Sequence, residues 1–114
     1  MASMIERYGV YWVNLDPVIG SVLAKTRPAV VISDDAMNRL LSTVVVCPLT
    51  SRLHPRWPSR IQTRLGDQDS EIAVDQIRTI DKRRIGEKLA ALDESVAVEL
   101  RHVITEMYGV LSSD

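Results

Sequence analysis

The chain contains no phenylalanine, one cysteine and two histidines. Aromatic residues make up only 4% of it, so a core has to be assembled from valine, isoleucine and leucine. The lone Cys47 has no partner for an internal disulfide and reads as a small buried apolar residue. His54 and His102 lie far apart, with no cysteine or second histidine at ligand spacing, so no metal site is expected. Neither a phosphate-binding glycine loop nor a dinucleotide fingerprint is present, and no cofactor is expected. No apolar run approaches the ~20 residues that a bilayer crossing needs, and no signal-peptide pattern is visible. A cytoplasmic protein without a membrane partner is the expectation.

What remains fits one domain: 114 residues, 46% of them apolar, suffice for a single core and not for two. Met1-Ala2-Ser3 ahead of Met4 reads as a cloning remnant, which leaves 4–114 as the domain. The net charge is −1, yet the charges are segregated. From Ala36 to Gly66 there is no acid, against Arg39, Arg52, Arg56, Arg60 and Arg64. From Asp93 onward five acids accompany one base, Arg101. A local basic surface on a neutral protein attracts polyanions. Solvated arginines on loops and edge strands would give the same counts.

Apolar alternation predicts many short strands. The first runs from Gly9 to Leu15, with Tyr11, Val13 and Leu15 on one face and Val10 and Trp12 on the other. A polar loop from Asp16 to Thr26, punctuated by Pro17 and Gly20, leads to a second strand over Ala29 to Ser33. A short helical turn capped by aspartate follows at Asp34 to Leu41, then a third strand over Thr43 to Leu49. Arg60 to Arg64 reads as an edge strand, and Gly66 to Ser70 as a turn. Glu71 to Val74 and Ile77 to Ile80 are further strands, Asp81 to Arg84 a turn of helix, and Ile85 to Leu92 a last strand. The final segment is a helix behind an Asp93 cap, its stripe made of Val96, Leu100, Val103, Ile104, Met107, Tyr108 and Leu111. Strands followed by one helix predict a mainly β protein: a small, strongly bent β-barrel with a C-terminal helix packed on it.

Polar residues gather where these strands end: Asp16, Arg27, Thr50, Ser51, Asp75, Gln76 and Arg78. Pro28 keeps helix from forming through Arg27, and a guanidinium held by a rigid strand beside a loop is suited to gripping phosphate. Each residue also has a plainer reading. Arg27 can pair with Asp16, Thr50 can satisfy strand-end backbone, Asp75 can serve a turn, and Arg78 can brace Asp75. His102, on the terminal helix, reads as solvated.

Five blocks taken together resemble the MazF/PemK toxins. They are Trp12-Val13-Asn14-Leu15-Asp16-Pro17, Gly20-Ser21, Lys25-Thr26-Arg27-Pro28-Ala29-Val30-Val31, Cys47-Pro48-Leu49-Thr50-Ser51, and Asp75-Gln76-Ile77-Arg78-Thr79-Ile80-Asp81. They come in that family's order and spacing and cover the chain after Met4. The resemblance implies an SH3-like barrel acting as a homodimer. It implies a sequence-specific, ribosome-independent endoribonuclease for single-stranded RNA, inhibited by a cognate antitoxin that threads an acidic, disordered segment over the RNA groove. Carried over by position, Arg27 and Thr50 match the catalytic arginine and threonine, and Asp75 an acidic residue that some members use. Gln76 and Arg78 match a substrate-contacting strand. Asp16, Pro17, Gly20, Ser21, Lys25 and Ser51 are grouped with them as RNA contacts. The arginine that some relatives carry two places before the aspartate is Ala73 here. Trp57, between Pro55 and Pro58, is placed either to stack on a base or to pack over the barrel end or dimer seam.

The chemistry implied is attack of the 2′-oxygen on the adjacent phosphorus, without metal. Arg27 would stabilise the phosphate, Thr50 donate a hydrogen bond to it, and Asp75 act as base. Two readings without catalysis compete: a barrel that binds a protein such as gyrase, and a plain RNA- or peptide-binding module. The loop departs from the family at Val22, where the usual residue is glutamate. That departure is either natural or a disarming change, and the leading Met1-Ala2-Ser3 favours the second. Val22→Glu is then expected to raise RNA cleavage; an unchanged rate dismisses the disarming reading.

Overall fold

A computed structural model describes residues 4–15 and 26–109. The strands are β1 (Gly9–Asn14), β2 (Thr26–Val31), β3 (Thr43–Thr50), β4 (Arg60–Leu65), β5 (Gln68–Ala73), β6 (Arg78–Asp81) and β7 (Ile85–Ala91). The helices are α1 (Asp35–Leu40) and α2 (Glu94–Tyr108), with 3₁₀ turns at Val74–Gln76 and Lys82–Arg84. The strands join in the order β4-β5-β3-β2-β1-β7, with β6 also paired to β3. Every pairing is antiparallel. The sheet curls into a half-barrel. Among the described residues no ladder joins its outer strands: Thr63–Leu65 and Ala90–Leu92 instead line a small cleft of about 50 Å³.

β3 is the strand that shapes the curl. Along one edge it pairs with β6 over Thr43–Val46 and then with β5 over Leu49–Thr50. Cys47 and Pro48 occupy the interval, and the Val74–Gln76 turn bridges the two partners. The bond from Ile32 N–H to the Val45 carbonyl, 2.9 Å, fixes which residues of β2 aim their N–H at β3. By alternation these are Ile32, Val30 and then position 28. Position 28 is proline, so the next donor is missing and the β2–β3 ladder ends at Ala29–Pro48. By the same parity the absent N–H of Pro48 faces the other edge, where β6 gives way to β5.

Both faces of the central strands are covered, which is why Ala29-Val30-Val31 and Val44–Cys47 are apolar without alternation. One face holds Val10, Val30, Cys47, Leu49, Ile61, Ile72, Val74 and the α2 residue Leu100. Val96, Val103 and Ile104 complete the helix contact. The opposite face holds Tyr11, Val13, Ala29, Val31, Val44, Val46 and Ile80. The apolar stripe expected on the terminal helix therefore docks through its first three turns. Met107 and Tyr108 stay largely exposed, and the Tyr108 hydroxyl donates to the Val74 carbonyl, 2.9 Å. Leu111 lies outside the described residues.

Several boundaries differ from expectation. β2 begins at Thr26, so Arg27 lies inside it, in register with Val13 of β1. The turn expected over Gly66 to Ser70 is only Gly66 and Asp67; Gln68, Asp69 and Ser70 belong to β5. Gly66 takes φ +61, the left-handed backbone that a two-residue hairpin turn asks of its first residue. Asp75-Gln76, expected as a strand break, lie in the first 3₁₀ turn. Asp34 caps α1 by accepting from Met37 N–H, 3.2 Å, and Asp81 caps the second 3₁₀ turn by accepting from Arg83 N–H, 2.8 Å. Asp93 occupies the cap position of α2 without a side-chain cap bond.

Candidate functional site

The β2–β3 register pairs Ala29 with Pro48. Continued two residues past the end of the ladder, it sets Arg27 opposite Thr50. The strands have parted there, and an open groove of about 650 Å³ lies between them. Trp12, Pro28, Leu49 and Leu65 supply its apolar surface; Arg27, Thr50, Ser51, Arg52, Gln68 and Ser70 supply its polar groups. Among the described residues no carboxylate lines it, so Arg27 and Arg52 give it a positive potential. Arg27 is exposed and makes no ion pair with a described residue.

Thr50 is held in a specific way. Its Oγ1 accepts from the Arg52 backbone N–H, 3.1 Å, closing a local turn at the end of β3. Thr50 lines the groove, and its hydroxyl keeps a proton that it can donate to an oxygen bound there. A guanidinium opposite a hydroxyl donor, beside apolar surface, can hold one phosphodiester and stack a neighbouring base.

The other charged stretch has a different fate. In the β4–β5 hairpin, Arg64 lies opposite Asp69 and Gln62 opposite Glu71. The arginine-rich strand is thereby laid against an acidic one, and much of the charge segregation seen in the sequence cancels. Arg60, its side chain buried, bonds Glu71 Oε2 at 2.5 Å and Asp75 Oδ1 at 2.8 Å. Glu71 is fully buried. Its Oε1 also accepts from His54 N–H, 2.7 Å, and Gln62 Nε2, 2.8 Å. Asp75 accepts in addition from Ser59 Oγ, 2.7 Å.

These contacts bear on the expected roles. The Arg60 guanidinium, more than any other group, holds the Asp75 carboxyl below the ordinary aspartate range; Ser59 adds to this and burial opposes it. A carboxylate so stabilised is a weak base, and Asp75 does not line the groove. The brace on Asp75 is Arg60, not Arg78. Arg78 is exposed at the start of β6, in register with Val46, and Gln76 is exposed on the 3₁₀ turn. Neither lines the groove with Arg27 and Thr50. Trp57 stacks on His54 with ring centroids 3.9 Å apart, lies 4.7 Å from the Arg60 guanidinium carbon, and also stands outside the groove. Asp16, Pro17, Gly20, Ser21, Val22 and Lys25 lie outside the described residues. Cys47 is buried, and burial, with Asp75 nearby, pushes its thiol up to about 12, so it remains a neutral apolar group.

Sequence reasoning missed Trp12, Arg52, Leu65, Gln68 and Ser70 as groove residues. Trp12 carried a usable signal: it shares a face with buried Val10, yet its side chain is 39% exposed at the rim, in register with Pro28. Among the described residues there is no cluster of three His, Cys, Asp or Glu side chains able to hold a metal ion, and no helix is long and apolar enough to cross a membrane.

Fold and groove together define a small curled-sheet protein with a cationic strand-end site. The profile of PemK-like, MazF-like toxins of type II toxin–antitoxin systems matches residues 6–108, and the chain belongs to that family. It is 35% identical over 116 residues to Endoribonuclease MazF of Staphylococcus epidermidis, with 97% of each chain covered. The same enzyme of Staphylococcus saprophyticus is 35% identical over 112 residues, covering 94% of this chain and 93% of its own. The MazE–MazF crystal structure from Deinococcus radiodurans superposes with a TM-score of 0.79 at 26% identity, covering 96% of this chain and 100% of that one.

The Arg60 cluster generates a test of stability. Burial pushes the Glu71 carboxyl up, but the bonds from Gln62, His54 N–H and Arg60 outweigh it and leave the pKa lowered. Groups with depressed pKa contribute stability above the ordinary carboxylate range and lose it as pH falls through their folded values. Arg60→Ala should therefore cost about 3–5 kcal/mol at neutral pH, because it leaves Glu71 buried and uncompensated. The gap to wild type should narrow below about pH 4, as urea denaturation across a pH series will register.

Proposed function

We propose that this protein is an endoribonuclease toxin that severs single-stranded RNA by activating the RNA's own 2′-oxygen. The observation that carries the reading is the exposed Arg27 guanidinium and the Thr50 hydroxyl on two walls of one groove, with no carboxylate among its described lining residues. The curated relatives' activity favours it over a barrel that only binds gyrase, or a module that only binds RNA.

The 2′-hydroxyl gives its proton to water as its oxygen attacks the adjacent phosphorus, a pentacoordinate dianion builds up, and the P–O5′ bond breaks with the 5′-oxygen taking a proton from water. Arg27 and Thr50 stabilise the nonbridging oxygens as charge accumulates. The products are a 2′,3′-cyclic phosphate and a 5′-hydroxyl. Asp75 is not assigned the base role, since Arg60 and Ser59 occupy its carboxylate. Trp12, Pro28 and Leu65 offer surface for an unpaired base, which suits single strands over duplex. Asp16, Pro17, Gly20, Ser21 and Lys25 remain proposed RNA contacts on the loop that joins β1 to β2. Ser51 contributes from the groove itself.

The cognate antitoxin inhibits by laying an acidic segment, disordered when free, into the same groove. The absence of carboxylates among its described lining residues favours such an occupant. The protein acts as a homodimer in the cytoplasm, where its substrate is. Met37, Leu40 and Leu41 at α1, and Met107 and Tyr108 on α2, are large side chains that a second copy can cover.

Mapping the ends produced from a long natural RNA tests this reading. The wild-type protein should leave cyclic phosphates in the presence of a chelator, and an oligonucleotide lacking the 2′-hydroxyl at the cut should bind intact. Arg27→Ala should cost about 3 kcal/mol or more in kcat/KM. Activity abolished by the chelator and restored by a divalent metal would refute the scheme.

A further inference from the structure

Glu71 takes no part in the chemistry just described, yet it is wholly buried and its side chain has a full set of donors. Its neighbours suggest why a charge is kept there. Its Cα is the register partner of Thr50 across the β3–β5 ladder. Its carboxylate reaches past that ladder to the backbone N–H of His54, the far end of the segment that leaves Thr50. Thr50 Oγ1 holds the Arg52 N–H in the same segment. The turn over residues 50–54 is thus closed by two side-chain acceptors, one at each end. Both stand on paired strands, and the Glu71 carboxylate is further held by Arg60 and Gln62.

We infer that Glu71 is the positioning residue for the Thr50 hydroxyl. By fixing His54 it fixes the path of the turn, keeps Arg52 N–H on Thr50 Oγ1, and so leaves the Thr50 proton directed at the phosphate. Arg60 is the second tier: it orients the carboxylate and balances its charge. The inference rests on the endoribonuclease reading for its effect on rate, though the effect on the turn stands without it.

The test compares Glu71→Gln with Leu100→Ala, a core variant on α2 that holds no hydrogen-bonding group of the turn. Both are assayed at a temperature and urea-free condition where each is folded, and rates are taken per folded molecule. In Glu71→Gln the amide hydrogen exchange of Arg52 should rise about tenfold relative to wild type, while in Leu100→Ala it changes only with global stability. The RNA-cleavage kcat of Glu71→Gln should fall about tenfold or more with KM within about twofold, since binding charge is intact and only alignment is lost. Arg52 exchange that follows global stability in both variants overturns the inference. So does a loss confined to KM, or a kcat no lower than that of Leu100→Ala. If Glu71→Gln does not fold, Gln62→Ala removes one exposed donor from the same carboxylate; a rise in Arg52 exchange with a fall in kcat of about threefold is then expected, and no change in either overturns it. A wild-type protein that cuts no RNA contradicts the endoribonuclease reading instead, and the exchange measurement still decides whether Glu71 governs the turn.

Discussion

The termination of the β2–β3 ladder is the constraint from which the site follows. Two antiparallel strands with apolar side chains on both faces would ordinarily zip to their ends. Pro28 withholds the donor that would next bond Leu49, and the strands part after Ala29–Pro48. Arg27 and Thr50, held at facing register positions by the paired segment behind them, then become two walls of a groove. Rigidity comes from the ladder and access from its interruption. A site built on strand ends in this way needs little motion to accept an extended substrate.

The charge pattern is resolved by the same sheet. Pairing β4 with β5 sets Arg60 and Arg64 against Glu71, Asp75 and Asp69. Arg60 becomes structural, and Arg64 is screened by a solvent-exposed ion pair worth little to stability. The groove keeps Arg27 and Arg52 to act on a polyanion, with Arg56 exposed on the following loop. Net charge near zero and a locally positive site are therefore compatible.

Strands made of β-branched runs and the stripe of α2 were legible because burial on one or two faces imposes a period that survives in sequence. Gln68-Asp69-Ser70 was not, because weak strand formers are drawn into β5 by pairing with β4, a nonlocal effect. The positions of Arg27 and Thr50 at strand termini could be read from Pro28 and from Thr50-Ser51. Their juxtaposition could not, since it depends on the register between β2 and β3. The partner of Asp75 could not be read for the same reason: Arg60 is fifteen residues away and comes to it only through the hairpin. Trp12 gave half its signal, the face, while its exposure depended on where the neighbouring ladder stops.

The most direct measurement is a crystal structure of the protein with an RNA strand carrying a single 2′-deoxy nucleotide at the cleavage position. The account predicts that the phosphate 3′ to that nucleotide sits between strands β2 and β3, with one nonbridging oxygen bonded to the Arg27 guanidinium and the other within reach of Thr50 Oγ1. A phosphate seated against Arg39 or Arg56, with the β2–β3 groove empty, would contradict it.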